Sequence, residues 1–327
     1  MRFEVVIYSI PLLPSNRIRT APRSAEVFNQ RRLIVITATV GYKGADGSDY
    51  HAVFEAMHLE ATRIGIPYPE GSHSWHSFNV GATYGLLCYR SLPLEVRVFA
   101  GILTWLAVLI DDGAQQDPEE WYQFVPRFHA SAGHPNALAQ EFDIWLRNAY
   151  QHYSPAAANF IVSAFLNFVN TSALEGGEVP KVMPTVGGRS WAYYLREKNS
   201  ISEGYAWMTF PKAICPDVSC YIEAIADMTR YICFTNDIFS FYKEECASDR
   251  HNYMHTRASY EDFGVFEVFE KVIEETLDAQ RRITLSLAGK EPYAKYWREH
   301  ALGYVGMHTT NPARYKLRDL GLDESLP

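Results

Sequence analysis

Phe99-Ala100-Gly101-Ile102-Leu103-Thr104-Trp105-Leu106-Ala107-Val108-Leu109-Ile110 runs straight into Asp111-Asp112-Gly113-Ala114-Gln115-Gln116-Asp117-Pro118. The apolar part holds about 12 residues, whereas a membrane helix needs roughly 20. It lacks the period-2 alternation of a half-buried strand, so it predicts a core helix. Being apolar around most of its circumference, that helix must be surrounded by others. Two adjacent carboxylates at its C-terminal end oppose the helix macrodipole and require a compensating cation if they are buried. The plainer reading of the same segment is a solvated helix end built from turn-forming Asp and Gly.

Outward from this helix the pattern stays helical. Ser91 to Asp112, Ala137 to Tyr153, Ala156 to Leu174, Trp191 to Asn199, Asp217 to Glu245 and Phe263 to Ala288 carry helical apolar spacing, and strand signals are nearly absent. Pro93, Pro118 and Pro216 fall at helix boundaries, where a missing N–H costs little. The chain of 327 residues has ample material for a large core, no solenoid repeat and no linker, which predicts one all-α domain over 1–327, with residues 1–50 giving the weakest signal. Its 7 Trp, 21 Tyr and 18 Phe are a rich supply for lining an interior. The net charge of −8 repels a nucleic-acid backbone and argues against such a partner. No apolar run is long enough to predict a membrane span. Glu4 interrupts the apolar start and no clear cleavage site follows, which argues against a secretory signal. The five cysteines are odd in number and lack zinc spacing, as expected of reduced thiols in a cytoplasmic protein.

A second segment, Asn236-Asp237-Ile238-Phe239-Ser240-Phe241-Tyr242-Lys243-Glu244-Glu245, repeats oxygen-bearing side chains every four residues at Asn236, Ser240 and Glu244. Each step drifts only about 40° around a helix, so the three form one stripe. A carboxamide, a hydroxyl and a carboxylate are poor zinc ligands but suit Mg²⁺, which keeps waters and takes further oxygens from phosphates. An exposed polar face of an amphipathic helix is the bland alternative; Phe234, Phe239, Phe241 and Tyr242 around the stripe weaken it.

Together the two segments resemble the signatures of class I terpene cyclases: an aspartate-rich segment and the triad N-D-x-x-S-x-x-x-E. The form is similar to that of fungal trichodiene synthase and its relatives. Arg196, in Leu195-Arg196-Glu197, matches that family's diphosphate-sensing arginine, and Arg314-Tyr315, in Asn311-Pro312-Ala313-Arg314-Tyr315, matches its Arg-Tyr pair. The resemblance spans Asp111 to Tyr315. It departs at Gln115, where the family carries a further acid that here comes only at Asp117.

The resemblance implies an all-α class I terpenoid synthase bundle around an apolar active-site cavity. It implies a diphosphate held by three Mg²⁺ ions, on Asp111 and Asp112 from one helix and Asn236, Ser240 and Glu244 from another. Arg196, Lys243, Arg314 and Tyr315 would bind the diphosphate, Arg by its planar fork. Surface ion pairs, or a core ring for Tyr315, are the alternatives for these four. A homodimer is the family habit. Counting back three, four and seven residues along each helix gives the expected cavity wall: Val108, Ala107 and Thr104, then Cys233, Ile232 and Thr229. Phe78, Trp105, Phe165, Phe168, Trp207, Phe210 and Trp297 are candidates for cation-facing rings or plain core. Ser200 to Gly204 resembles the family's interrupted helix, with Gly204 permitting the break. Polar Cys246 to Tyr260 is a candidate lid.

The expected reaction is Mg²⁺-dependent ionisation of farnesyl diphosphate and cyclisation to a C15 hydrocarbon or alcohol. Small Thr104 and Ala107 lean the product toward a macrocyclic, humulene-type skeleton. A chain-elongating prenyltransferase would carry a second D-D-x-x-D where Asn236-Asp237 and Ser240 stand. A non-catalytic all-α binding protein would tolerate loss of Asp111 or Asn236.

Overall fold

The computed structural model describes residues 30–326, apart from 31, 34, 35 and 38. Part of the stretch 1–50, expected to be hardest to read, therefore lies outside the described residues. Every regular element among them is helical. The longer helices are α1 (Tyr50–Ile64), α2 (His73–Cys88), α3 (Leu94–Ala114), α4 (Ala137–Arg147), α5 (Pro155–Gly177), α6 (Trp191–Asn199), α7 (Ser202–Met208), α8 (Ile225–Ala247), α9 (Tyr253–Glu261), α10 (Val265–Ser286) and α11 (Tyr293–Thr309).

The apolar run is the middle of α3, whose 14 buried residues include every position from Val96 to Ala107. α2 packs on it at close range, and α11 packs in turn on α2. At Gly81 a Cβ would lie 2.3 Å from the carbonyl oxygen of Gly101, and at Gly303 one would lie 2.0 Å from that of Leu87. Hydrogen is the only side chain that lets these backbones meet, and the absent side chains bring three helices into one tight layer. Helix α5 is long and apolar enough to cross a membrane by length and composition, and 61% of its apolar window is buried in the bundle.

Some boundaries differ from the sequence expectation, each for a local reason. The helix expected over Ala137 to Tyr153 is interrupted at Asn148, whose side chain accepts from Gln151 at 3.0 Å. Asn favours such caps and turns over helix interiors. The helix expected from Asp217 begins only at Ile225, because Asp217 caps a short 3₁₀ turn by accepting from the Ser219 N–H at 2.9 Å. Within the polar stretch Cys246 to Tyr260, Asn252 caps α9, accepting from the His255 N–H at 3.0 Å. The break after Arg196 falls at Ser200–Ile201, between α6 and α7. Gly204 lies inside α7, where a Cβ would stand 3.0 Å from the Phe165 ring, so close packing rather than the break requires it.

Candidate active site

The ends of α3, α5, α6, α8 and α11 enclose a cavity of about 690 Å³. Its head is polar and its deeper wall apolar. Asp111, Arg196, Asn236, Ser240, Lys243, Glu244, Arg314 and Tyr315 all line it, so two stretches 125 positions apart in the chain meet across one space. Thr104, Ala107 and Val108 line it below Asp111, one face of α3 serving both head and wall.

Asp112 does not line the cavity. Consecutive helical positions differ by about 100°, and Asp112 turns to His73 at 2.8 Å and to Arg314 at 3.5 Å. The expected place beside Asp111 in the cavity lining is thus not where its side chain lies; it contacts Arg314 instead. Asp117, which also does not line the cavity, is the N-cap of the short helix Pro118–Tyr122.

Thr229, Ile232 and Cys233 are likewise absent from the lining, although they continue the stripe of Asn236. The start of the α6–α7 break covers that stripe. Arg196 Nη2 lies 3.5 Å from the Cys233 carbonyl oxygen, and the Cys233 thiol lies 4.0 Å from the Arg196 carbonyl oxygen. Ile232 is fully buried, and Thr229 returns its hydroxyl to the Ile225 carbonyl at 2.9 Å. Of the seven aromatic candidates only Phe168 reaches the cavity; the other six are core. The rings that do line it are tyrosines: Tyr84, Tyr205, Tyr253, Tyr304 and Tyr315. Tyr84 and Tyr205 have centroids 4.4 Å apart, and the Tyr205 hydroxyl shares a 2.9 Å hydrogen bond with Thr104. Glu175, Asn199 and Asp249 also face the cavity. Sequence reading missed Glu175 and Asn199, because each sits on an element whose facing direction only the packed bundle decides; Asp249 belongs to the stretch expected as a lid.

The electrostatics follow from burial. Burial raises the Asp111 carboxyl, Asp112 raises it further, and Arg314, Lys243 and Arg196 only partly oppose this. Burial pushes Glu175 up to about 7, with Asp111 adding and the bond from Asn199 opposing. Burial pushes Glu244 up to about 7 against the pull of Lys243. Lys243 is itself lowered by burial and by Arg314, against Glu244 and Asp111. For Arg196, burial opposes the charge, but Asp237 at 2.7 Å more than offsets it and the guanidinium is held cationic.

Among the described residues the side-chain carboxylates of Asp111 and Glu244 make no hydrogen bond or salt bridge. Carboxylates in this condition lack positive charge, and a divalent cation is the group that supplies it. Among the described residues no three His, Cys, Asp or Glu side chains form a metal cluster. The donors that converge are a carboxylate on α3 and an amide, a hydroxyl and a carboxylate on α8. That hard-oxygen set, incomplete by itself, fits Mg²⁺ completed by water and substrate oxygens and does not fit zinc.

Comparison with known proteins agrees with this geometry. Linalool/nerolidol synthase from Streptomyces clavuligerus, solved in complex with 2-fluorogeranyl diphosphate, superposes with a TM-score of 0.64, 11% identity, and coverage of 84% of this chain and 99% of that one. The fold is thus that of the class I terpene synthases. The family model described as Trichodiene synthase (TRI5) matches residues 78–324, and the chain belongs to this family of terpene synthases. Longiborneol synthase CLM1 of Gibberella zeae is 38% identical over 269 residues, 81% of this chain and 79% of that protein. Terpene synthase BipA of Cochliobolus sativus is 35% identical over 280 residues, 84% of this chain and 85% of that protein.

Proposed function

We propose that this terpene synthase is a sesquiterpene cyclase, which ionises farnesyl diphosphate with Mg²⁺ and closes the resulting cation to a C15 hydrocarbon or alcohol. The observation that carries this reading is the single cavity with Asp111 and the Asn236, Ser240, Glu244 stripe at its head and apolar wall beneath. Asp111, Asn236, Ser240 and Glu244 are the residues that would hold the metal, three ions by family expectation. Bound Mg²⁺ supplies positive charge to the diphosphate as the carbon–oxygen bond breaks.

The chain's own groups do the rest. Arg196, Lys243, Arg314 and Tyr315 donate to diphosphate oxygens, and Asp112 keeps Arg314 at the mouth by their 3.5 Å contact. Thr104, Ala107, Val108 and Phe168 fold the prenyl chain and exclude water. The rings of Tyr84, Tyr205 and Tyr304 present π faces to a travelling positive charge. Residues 246–260 close over the head, since Asp249, His251, Asn252 and Tyr253 already reach the cavity. The small side chains of Thr104 and Ala107 favour a macrocyclic, humulene-type skeleton.

The test is incubation of the purified protein with farnesyl diphosphate, with and without Mg²⁺, and gas chromatography with mass detection. A Mg²⁺-dependent cyclic C15 product is expected. Farnesol alone, or turnover only of a C10 or C20 diphosphate, would refute the substrate.

A further inference from the structure

Arg196 stands at the centre of an unbroken run of hydrogen bonds across the cavity head. Its Nη1 donates to Asn199 Oδ1 at 2.9 Å, and Asn199 Nδ2 donates to Glu175 Oε1 at 2.7 Å. On the other side its Nη2 donates to Asn236 Oδ1 at 3.1 Å. Asn236 Nδ2 is 3.3 Å from His308 Nε2, and His308 Nδ1 is 2.7 Å from the Tyr304 carbonyl oxygen.

The direction of this run is fixed by its members. A guanidinium only donates, and a backbone carbonyl only accepts. His308 must therefore carry its proton on Nδ1 and offer a bare Nε2, to which Asn236 turns its NH₂. The flipped amide would set NH₂ against the guanidinium and oxygen against the unprotonated ring nitrogen, a mismatch at both ends. The imidazole has no freedom to relieve it. It is fully buried, with the rings of Tyr315, Tyr304 and Phe239 at 4.5, 4.8 and 5.1 Å.

The geometry points to His308 as a positioning residue for Asn236: its Nε2 accepts the amide NH₂ so that the amide oxygen, the only atom of the pair able to ligate a hard cation, is turned to the side of Arg196, which itself lines the cavity head. Nothing in the motif around Asn236 signals this residue, which lies 72 positions later on α11. The inference rests on the proposed reading of Asn236 as a Mg²⁺ ligand. With His308 gone, the amide is held only by Arg196 and loses its second orienting partner.

The test is a Mg²⁺ titration of inorganic diphosphate binding, read by calorimetry on the full-length protein without turnover. Wild type, H308F, H308Q, N236D and N236D/H308F are compared. H308F keeps a ring and removes the acceptor; it should raise the Mg²⁺ midpoint about tenfold, the size typical of losing a ligand's supporting partner. H308Q returns an acceptor oxygen and should restore most of the loss. In N236D either carboxylate oxygen can face the cavity, so adding H308F should cause no further loss. An unchanged midpoint in H308F, or an equal shift in the Asn236 and N236D backgrounds, would overturn the role of His308. H308L makes the same comparison should H308F not fold. A wild-type protein that binds no diphosphate with Mg²⁺ would instead refute the magnesium reading, and this one with it.

Discussion

Asp111 and Asp112 are neighbours in the chain and divided in task. One faces the cavity and the other ties Arg314 to His73. Their substitutions should therefore part company. D111N is expected to lower kcat by at least about 10²-fold, the usual cost of removing charge stabilisation from a transition state. D112N should chiefly raise KM, through a loosened Arg314. Steady-state kinetics on both would decide, and equal losses in kcat would put both carboxylates on the metal. A second residue prediction concerns His300, packed against Trp297 with 5.6 Å between centroids. Burial pushes its pKa down to about 3, whereas the unfolded chain titrates near about 6.5. The native state thus refuses a proton that the unfolded state takes up, and stability falls as pH drops through that window. H300F abolishes this uptake, and the Thr209 hydroxyl keeps its 3.1 Å bond to the Tyr205 carbonyl. Between pH 7 and pH 5 the variant should lose about 2 kcal/mol less stability than wild type, measured by denaturant unfolding. Parallel pH profiles would show that His300 does not titrate in this way.

The helices themselves were legible where one residue type dominates a long stretch. Trp191–Asn199 matches its expected bounds, and α3, α5 and α10 match within a few residues. Helix α2 was not singled out. Its sequence, with Gly81 and Gly85 among eleven buried residues, has no polar face to betray a helical period. Its glycines record an approach between backbones that no periodicity reports. The corresponding prediction is that G303A, which sets a methyl group against the Leu87 carbonyl, costs about 1–3 kcal/mol as overpacking. Calorimetry should find a clearly lowered Tm, and an unchanged one would mean that α2 and α11 separate freely. At the same scale, residues 246–260 should gain protection from hydrogen exchange when Mg²⁺ and diphosphate are both present. Exchange unaltered by the pair would refute the lid.

At the scale of the whole molecule, motif spacing named the polar head of the cavity and misjudged half of its wall. Asp111, Asn236, Ser240 and Glu244 were readable because their chemistry is conspicuous among apolar neighbours. Cys233 and Ile232 were misplaced because a stripe on one helix does not report which other helix lies over it. Tyr84, Tyr205 and Tyr304 are silent for the same reason: only assembly turns three separate tyrosines toward one space. Ligands that complete the head should stabilise the entire fold. Mg²⁺ and diphosphate together, at about 100 times their dissociation constant, should add about 2.7 kcal/mol and raise Tm by several degrees. Either alone should do much less, and equal shifts from diphosphate alone would argue against a metal-bridged site.

Helix α3 carries Thr104, Ala107 and Asp111 on one face, so along a single rod the wall runs from Ala107, about 6 Å below the head, to Thr104, about 10 Å below it. Under the proposed reading, the position that starts the reaction and those that shape its outcome belong to the same helix, with Thr104 two turns below Asp111. A substitution at 104, two turns from Asp111, would then reshape the wall while leaving the trigger intact. The outcome of the reaction could thus be changed deep in the rod without rebuilding the group that starts it.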